Sequence, residues 1–164
     1  QSHIDLAKAV WLDYCECKMI DTIAREPLWR HLINYRCGTG HSVSFVGNVH
    51  EGPHALNSRN TTRMRPGMVV TDEPGVYETD LVGIRIENEL VCIHKADNQY
   101  GTFLGFEPLT FVPIATSPIL PGVLDKDELA WLNDYHRQVF AKLAPHLNAE
   151  ERVWLAEKCA SIGC

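Results

Sequence analysis

Between Gly38 and Asn88 glycine and proline recur within short motifs, and up to residue 66 asparagine and serine are also frequent. The motifs in that stretch read Gly38-Thr39-Gly40-His41, Asn48-Val49-His50-Glu51-Gly52-Pro53, Thr71-Asp72-Glu73-Pro74-Gly75 and Gly83-Ile84-Arg85-Ile86-Glu87-Asn88. Proline lacks the N–H that a helix interior needs, and glycine loses the most backbone entropy on ordering. The region therefore reads as strand fragments and turns. Any chemistry it carries has to come from side chains brought together on separate segments.

Residues 37 to 66 read as strand fragments joined by loops, and Met68 to Glu73 as a short strand stopped by Pro74-Gly75. Residues 82 to 94 read as one strand, with Ile84 and Ile86 on one face and Arg85, Glu87 and Glu89 on the other. Leu6, Val10 and Tyr14, with Ala7 and Trp11 beside them, predict a helix over residues 4 to 17. Ile20, Ile23, Ala24 and Leu28 predict another over 20 to 33, with Pro27 kinking or breaking it. Residues 101 to 122 hold four prolines and read as a strand plus an extended connection. Asp125 and Glu128 form a capping box for a helix of about five turns through Leu129, Leu132, Tyr135, Val139 and Leu143, closed by Pro145. Asn148 and Glu151 repeat that signature before a last helix carrying Val153, Trp154, Leu155 and Ile162.

At 164 residues, 45% hydrophobic and 22% charged, the chain can bury a core of useful size. The net charge of −6 and the lack of any Lys/Arg cluster argue against a nucleic-acid partner. There is no long apolar run to span a membrane and no basic start followed by an apolar segment. The chain starts at Gln1 without an initiator Met, and the expectation is an excerpt of a longer protein. Six cysteines show no framework spacing. Cys15-Glu16-Cys17 resembles half a zinc site but has no second close pair, so free thiols are the better reading.

His41, Glu73 and Glu87 are the candidate metal ligands. A histidine after a glycine turn is ordinarily a surface residue, and a strand glutamate ordinarily a solvated one, as Glu89 is expected to be. What singles out these three is their joint occurrence within ordered motifs. One nitrogen and several oxygens suit manganese, cobalt, iron, magnesium or zinc and are too hard for copper(I).

Taken together, the four motifs resemble those of the Xaa-Pro aminopeptidases (aminopeptidase P), metallopeptidases of the pita-bread fold shared with methionine aminopeptidase, prolidase and creatinase. Phe106-Glu107-Pro108-Leu109-Thr110-Phe111-Val112-Pro113-Ile114 and Trp131-Leu132-Asn133-Asp134-Tyr135-His136 resemble the three-domain, cytosolic type. The resemblance implies an α+β fold, the C-terminal portion of a pita-bread domain: a curved antiparallel sheet flanked by helices over residues 1–122, with a C-terminal helical extension, 123–164, packed on it. It implies a cytoplasmic enzyme that hydrolyses the N-terminal bond of peptides with proline second, using two divalent ions, manganese by family. Such a bond has no N–H, so enzymes that grip an extended backbone by that group cannot use it. By the same resemblance His41 is a terminal ligand, and Glu73 a ligand that also serves as general base. Glu87 is a carboxylate bridging both metals. His50 hydrogen-bonds the scissile carbonyl, and Arg85 on the substrate side orients the acidic ligands.

The sequence also departs from that pattern. The family's two remaining ligands are aspartates upstream of the first metal histidine. Here the chain before His41 reads as helices, and Asp5, Asp13, Glu16 and Asp21 lie in no β-rich context. At an effective dielectric near 20 and roughly 3.5 Å, two divalent ions repel by about 19 kcal/mol. Glu73 and Glu87 cannot offset that, so the chain alone is expected to hold at most one ion, weakly, and to be inactive. Cys37 stands where the family has a histidine, and Ser42 and Ser44 where it has glycines; if those positions need positive φ, each serine costs on the order of 1 kcal/mol. The alternative is a non-catalytic pita-bread relic acting as a peptide-binding or dimerisation module. The expected assembly is a homodimer or association with the missing half.

Overall fold

A computed structural model describes residues 1–163. The chain folds as two compact units, Gln1–Thr110 and Phe111–Cys164. The first contains α1 (Ser2–Ala7), β1 (Val10–Leu12), α2 (Cys17–Trp29), β2 (Gly40–His41), β3 (Ala55–Leu56), β4 (Val69–Asp72), β5 (Gly75–Glu78), β6 (Val82–Arg85), β7 (Asn88–Asn98) and β8 (Gly101–Pro108). Its main sheet runs β1-β8-β7-β4, antiparallel throughout, and two ribbons, β2-β3 and β5-β6, accompany it. The sheet is curled and helices accompany it, so the fold is α+β. Leu6 from α1 and Cys17, Ile20 and Ala24 from α2 pack on Trp11, Val70, Leu90, Cys92, Leu104 and Phe106 of the sheet. A buried side chain of that size contributes roughly 1.5–3 kcal/mol, which is what holds the short helices in place.

The helix expected over 4–17 stops at Ala7, and residues 10–12 form β1 instead. Val10 and Tyr14 are exposed while Trp11 is buried against Phe106, ring centroids 4.6 Å apart. The Val-Trp-Leu segment thus follows a strand's alternation, for which β-branched and aromatic residues are suited. In α2 the helix runs through Pro27 and ends two residues later at Trp29. Ile33 N–H donates to Leu28 O, and Leu32 adopts φ 59 at full exposure. That is a left-handed cap of the kind glycine usually fills.

The strand expected over 82–94 is two strands. β6 pairs only with β5, β7 pairs with β4 and β8, and residues 86–87 belong to neither. Pro74 ends the partner side in the same place, since it has no N–H for a ladder. Ile84 on β6 and Ile86 in the break, expected on an apolar face, are both exposed.

In the second unit, α3 (Lys126–Leu143) opens with the expected capping box of Asp125 and Glu128. A 3-10 turn follows at Ala144–His146, then α4 (Ala149–Lys158), capped by Asn148 and Glu151. Ile162 lies beyond α4, and its backbone is held by both atoms of the Asn133 amide, each at 3.0 Å. Tyr135 and His136 pin the extended segment after Thr110. The Tyr135 hydroxyl accepts from Val112 N–H and donates to Val112 O, both 3.1 Å, and His136 Nε2 accepts from Ile114 N–H at 3.1 Å. Burial pushes the pKa of His136 down. No helix among the described residues is long and apolar enough to cross a membrane.

Candidate metal centre

The paired breaks in the first unit create the site. The β4–β7 ladder ends at Asp72↔Asn88, and the β5–β6 ladder starts at Gly75↔Arg85. Glu73 and Glu87 occupy the facing gaps between those two ladders, freed from pairing and able to point across the gap. His41 arrives on β2, which is laced to β4 by three contacts. Glu73 N–H donates to Thr39 O at 2.8 Å, His41 N–H donates to Thr71 Oγ1 at 2.9 Å, and Ser42 bridges Val70. Only glycine can stand at position 40, because a Cβ there would lie 1.7 Å from Thr71 O.

One ligand atom from each of His41, Glu73 and Glu87 lies within 4.8 Å of the others, and no other such group of three occurs among the described residues. His41 Nδ1 sits 3.0 Å from Ser42 O, which can only accept, so that nitrogen carries a proton. With Nδ1 turned to that carbonyl, Nε2 faces Glu73 Oε1, 3.1 Å away. A ring nitrogen and a carboxylate oxygen placed this way are atoms that could hold a cation between them. Thr71 Oγ1 donates to the same Glu73 oxygen at 2.9 Å. Arg85 reaches Glu73 Oε2 at 3.8 Å and Glu87 Oε2 at 3.6 Å. Tyr77 and then Glu87 push the Arg85 pKa above its ordinary value. The residues present thus fit one divalent ion held by one imidazole and two carboxylates.

His50 comes from the loop after β2, its ring centroid 4.0 Å from that of His41. It lines the same cleft of about 450 Å³, with Cys37, Asn57, Tyr77 and Arg85. All five candidate residues are therefore brought together, although Glu87 sits in a break rather than mid-strand. Ser42 and Ser44 are not at positive φ, so the condition under which each serine would cost stability is not met. Cys15 and Cys17 fall in no cluster of three ligand-type side chains among the described residues; both are free thiols, and burial raises Cys17 to about 11.

Two supporting networks were not anticipated. Arg25, on α2, pairs with Asp21 at 2.7 Å and donates to Tyr35 O at 2.8 Å and Cys37 O at 2.9 Å. Thr39 Oγ1 donates to Asp21, so α2 anchors the strand that delivers His41. Burial, despite the Thr39 hydrogen bond, pushes Tyr35 up to about 12. On the other side His3 Nδ1 lies 3.2 Å from both the carbonyl and Oδ2 of Asp72, and its Nε2 lies 3.4 Å from the Asn88 amide. His3 thus grips the rung beside which both glutamates stand. Complete burial raises the Asp72 pKa, with His3 opposing. The i,i+4 spacing of Asp21 and Arg25 was the one signal in the sequence for the first network.

Comparison with known proteins bears on the same residues. Residues 1–94 match the model of metallopeptidase family M24, and residues 102–162 that of the C-terminal region of peptidase M24. The chain belongs to metallopeptidase family M24. Its relatives include aminopeptidase P2 of Arabidopsis thaliana, 43% identical over 94% of this chain and 23% of that protein. A probable Xaa-Pro aminopeptidase P of Coprinopsis cinerea is 40% identical over 99% of this chain and 27% of the relative. Among solved structures, the X-prolyl aminopeptidase of Caenorhabditis elegans, described as a cytosolic enzyme with a di-nuclear active site, superposes with a TM-score of 0.91 at 38% identity, covering 98% of this chain and 27% of that one. The prolidase of Pyrococcus furiosus superposes with a TM-score of 0.56 at 26% identity, over 68% of this chain and 30% of its own. The chain spans about a quarter of the length of the curated relatives it matches. The pita-bread fold is thus shared with prolidases and aminopeptidases P.

Proposed function

We propose that this chain supplies the His41, Glu73 and Glu87 side of a two-metal aminopeptidase centre that removes the first residue of peptides with proline second. The observation that carries the reading is the convergence of those three side chains within 4.8 Å, in the gaps of two ladders. The di-nuclear site of the nematode relative supports it. Manganese is the proposed native ion, being suited to one nitrogen and several carboxylate oxygens. A bound divalent ion supplies Lewis acidity toward a carbonyl and lowers the pKa of water.

The chain's own residues do the rest. Glu73, held by Thr71, accepts the proton of the attacking water and returns it to the departing proline nitrogen. His50, at the wall of the cleft, hydrogen-bonds the scissile carbonyl oxygen as it gains charge. Arg85 keeps Glu73 and Glu87 facing each other. Two carboxylates cannot balance two divalent ions. The isolated chain therefore holds at most one ion, weakly, and does not turn over. Its complete form acts in the cytoplasm, as a homodimer or joined to the remainder of a longer protein.

Calorimetric titration with manganese, alongside an assay on a proline-second peptide, tests this reading. At most one ion and no hydrolysis are expected. Turnover, or two tight ions, overturns the inactivity. Peptide binding that needs no metal would favour a binding module, for which Cys37 at the cleft wall in place of a histidine is the cue.

A further inference from the structure

The rung Asp72↔Asn88 is the last of the β4–β7 ladder, and Glu73 and Glu87 stand one residue beyond it, one on each chain. The ends of a ladder are where strand pairing opens most easily. Past this rung the pairing of the main sheet stops: residues 86–87 belong to no strand, and Pro74 has no N–H to give. The separation of the two glutamates therefore depends on how firmly the last rung is closed.

A side chain from a third element closes it. His3 of α1 is buried, at 4% exposure. Its Nδ1 lies 3.2 Å from the Asp72 carbonyl oxygen and 3.2 Å from Asp72 Oδ2, on β4. Its Nε2 lies 3.4 Å from the Asn88 amide nitrogen, on β7. An amide nitrogen only donates, so Nε2 accepts there and Nδ1 is left to donate to Asp72. Asn88 is oriented in turn by Thr110 Oγ1, which donates to its Oδ1 at 3.2 Å. The ring thus spans both strands, with one nitrogen on each. Seating α1 does not require this. The apolar cluster around Leu6 already does so, and an imidazole, a carboxylate and an amide each cost free energy to bury unless they are paired. A buried polar set whose members answer one another fixes a single local arrangement, which an apolar contact does not.

We infer that His3 is a positioning residue for the metal centre: by bridging Asp72 and Asn88 it fixes the separation of Glu73 and Glu87. The inference deepens the metal-centre reading above and rests on it. His3 acts through the residues beside the ligands, not by holding the ion.

The test has two arms. The first needs no metal and uses Asp72→Asn as its background. That change keeps the size and removes the buried charge, while the carbonyl that faces His3 is backbone and remains. His3→Leu is then added, and amide hydrogen exchange is followed by NMR. Glu73 N–H, bonded to Thr39 O at 2.8 Å beside the rung, should exchange about tenfold faster than in the Asp72→Asn chain. Cys92 N–H, bonded to Met68 O at 2.8 Å at the other end of the ladder, should not change. The second arm is a manganese titration of the otherwise unaltered chain, followed by the electron paramagnetic resonance of the free ion. His3→Leu should weaken binding roughly tenfold, the scale for groups that orient ligands. His3→Asn, whose amide N–H can replace the Nδ1 donor, should recover most of that loss. Unchanged exchange at Glu73, or equal acceleration at Glu73 and Cys92, overturns the inference. So does unchanged manganese affinity in the His3→Leu chain, which would make the grip structural only. If the unaltered chain takes up no manganese, the metal reading fails by itself, and the exchange rates still decide whether His3 closes the rung.

Discussion

Gly40→Ala is the sharpest perturbation of the metal centre that leaves every ligand in the chain. An alanine Cβ at this position would lie 1.7 Å from Thr71 O, 2.7 Å from Thr71 C and 3.2 Å from Thr71 Oγ1. The obstacle is backbone, so β2 must withdraw from β4 by roughly 1.5 Å to restore ordinary contact. That stretches the His41 N–H to Thr71 bond, now 2.9 Å, and the Glu73 N–H to Thr39 bond, now 2.8 Å, beyond useful range. Each bond contributes about 1 kcal/mol net, more when a buried group is left unpaired, and alanine regains up to about 1 kcal/mol of unfolded-state entropy. The expected loss is roughly 2–3 kcal/mol in urea unfolding. Manganese affinity should fall at least about tenfold, since His41 Nε2 leaves its 3.1 Å distance from Glu73. Gly38→Ala is the control: its Cβ would meet nothing closer than Leu56 O at 3.4 Å, and its cost should stay within about 0.5 kcal/mol. A Gly40→Ala protein as stable as the Gly38→Ala protein, with unchanged metal affinity, refutes the claim that close approach of β2 and β4 builds the site.

Arg25→Met leaves Asp21 buried without its partner and frees the carbonyls of Tyr35 and Cys37; a loss of about 3–5 kcal/mol in chemical denaturation is expected, and Arg25→Lys should recover little of it. Leu32→Gly should stabilise the chain by about 1 kcal/mol in thermal unfolding, because Leu32 is fully exposed and holds φ 59. The buried His136, with its pKa lowered, favours the neutral ring in the fold. Its contribution is complete above the unfolded value near 6.5 and is lost as pH falls through the lower folded value, so unfolding followed at Tyr135 fluorescence should show stability dropping below about pH 6.5, and His136→Gln should flatten that slope.

Much of this was legible beforehand because the ligands sit in short motifs whose glycines and prolines have a mechanical purpose. Pro74 and Gly75 end one ladder and begin another, and Glu73 is placed by that punctuation. Asp125 with Glu128, and Asn148 with Glu151, were readable because caps are local hydrogen bonds between residues three apart. The misreadings arose where two periodicities overlap. Leu6, Val10 and Tyr14 fit a helical stripe, but Trp11 belongs to a strand whose partner, β8, lies far along the chain. Residues 82–94 look continuous because the break at 86–87 contains neither glycine nor proline; it is imposed by Pro74 across the sheet. The His3–Asp72–Asn88 grip was invisible for the same reason, since it joins residues with no local signature.

The measurement that bears most directly on the central claim is a crystal structure of the chain soaked in manganese, with the ion located by its anomalous scattering. One peak is expected, at about 2.2 Å from His41 Nε2 and from a carboxylate oxygen of both Glu73 and Glu87. A peak bound elsewhere, or three ligand side chains that turn away from a common point, would contradict the account.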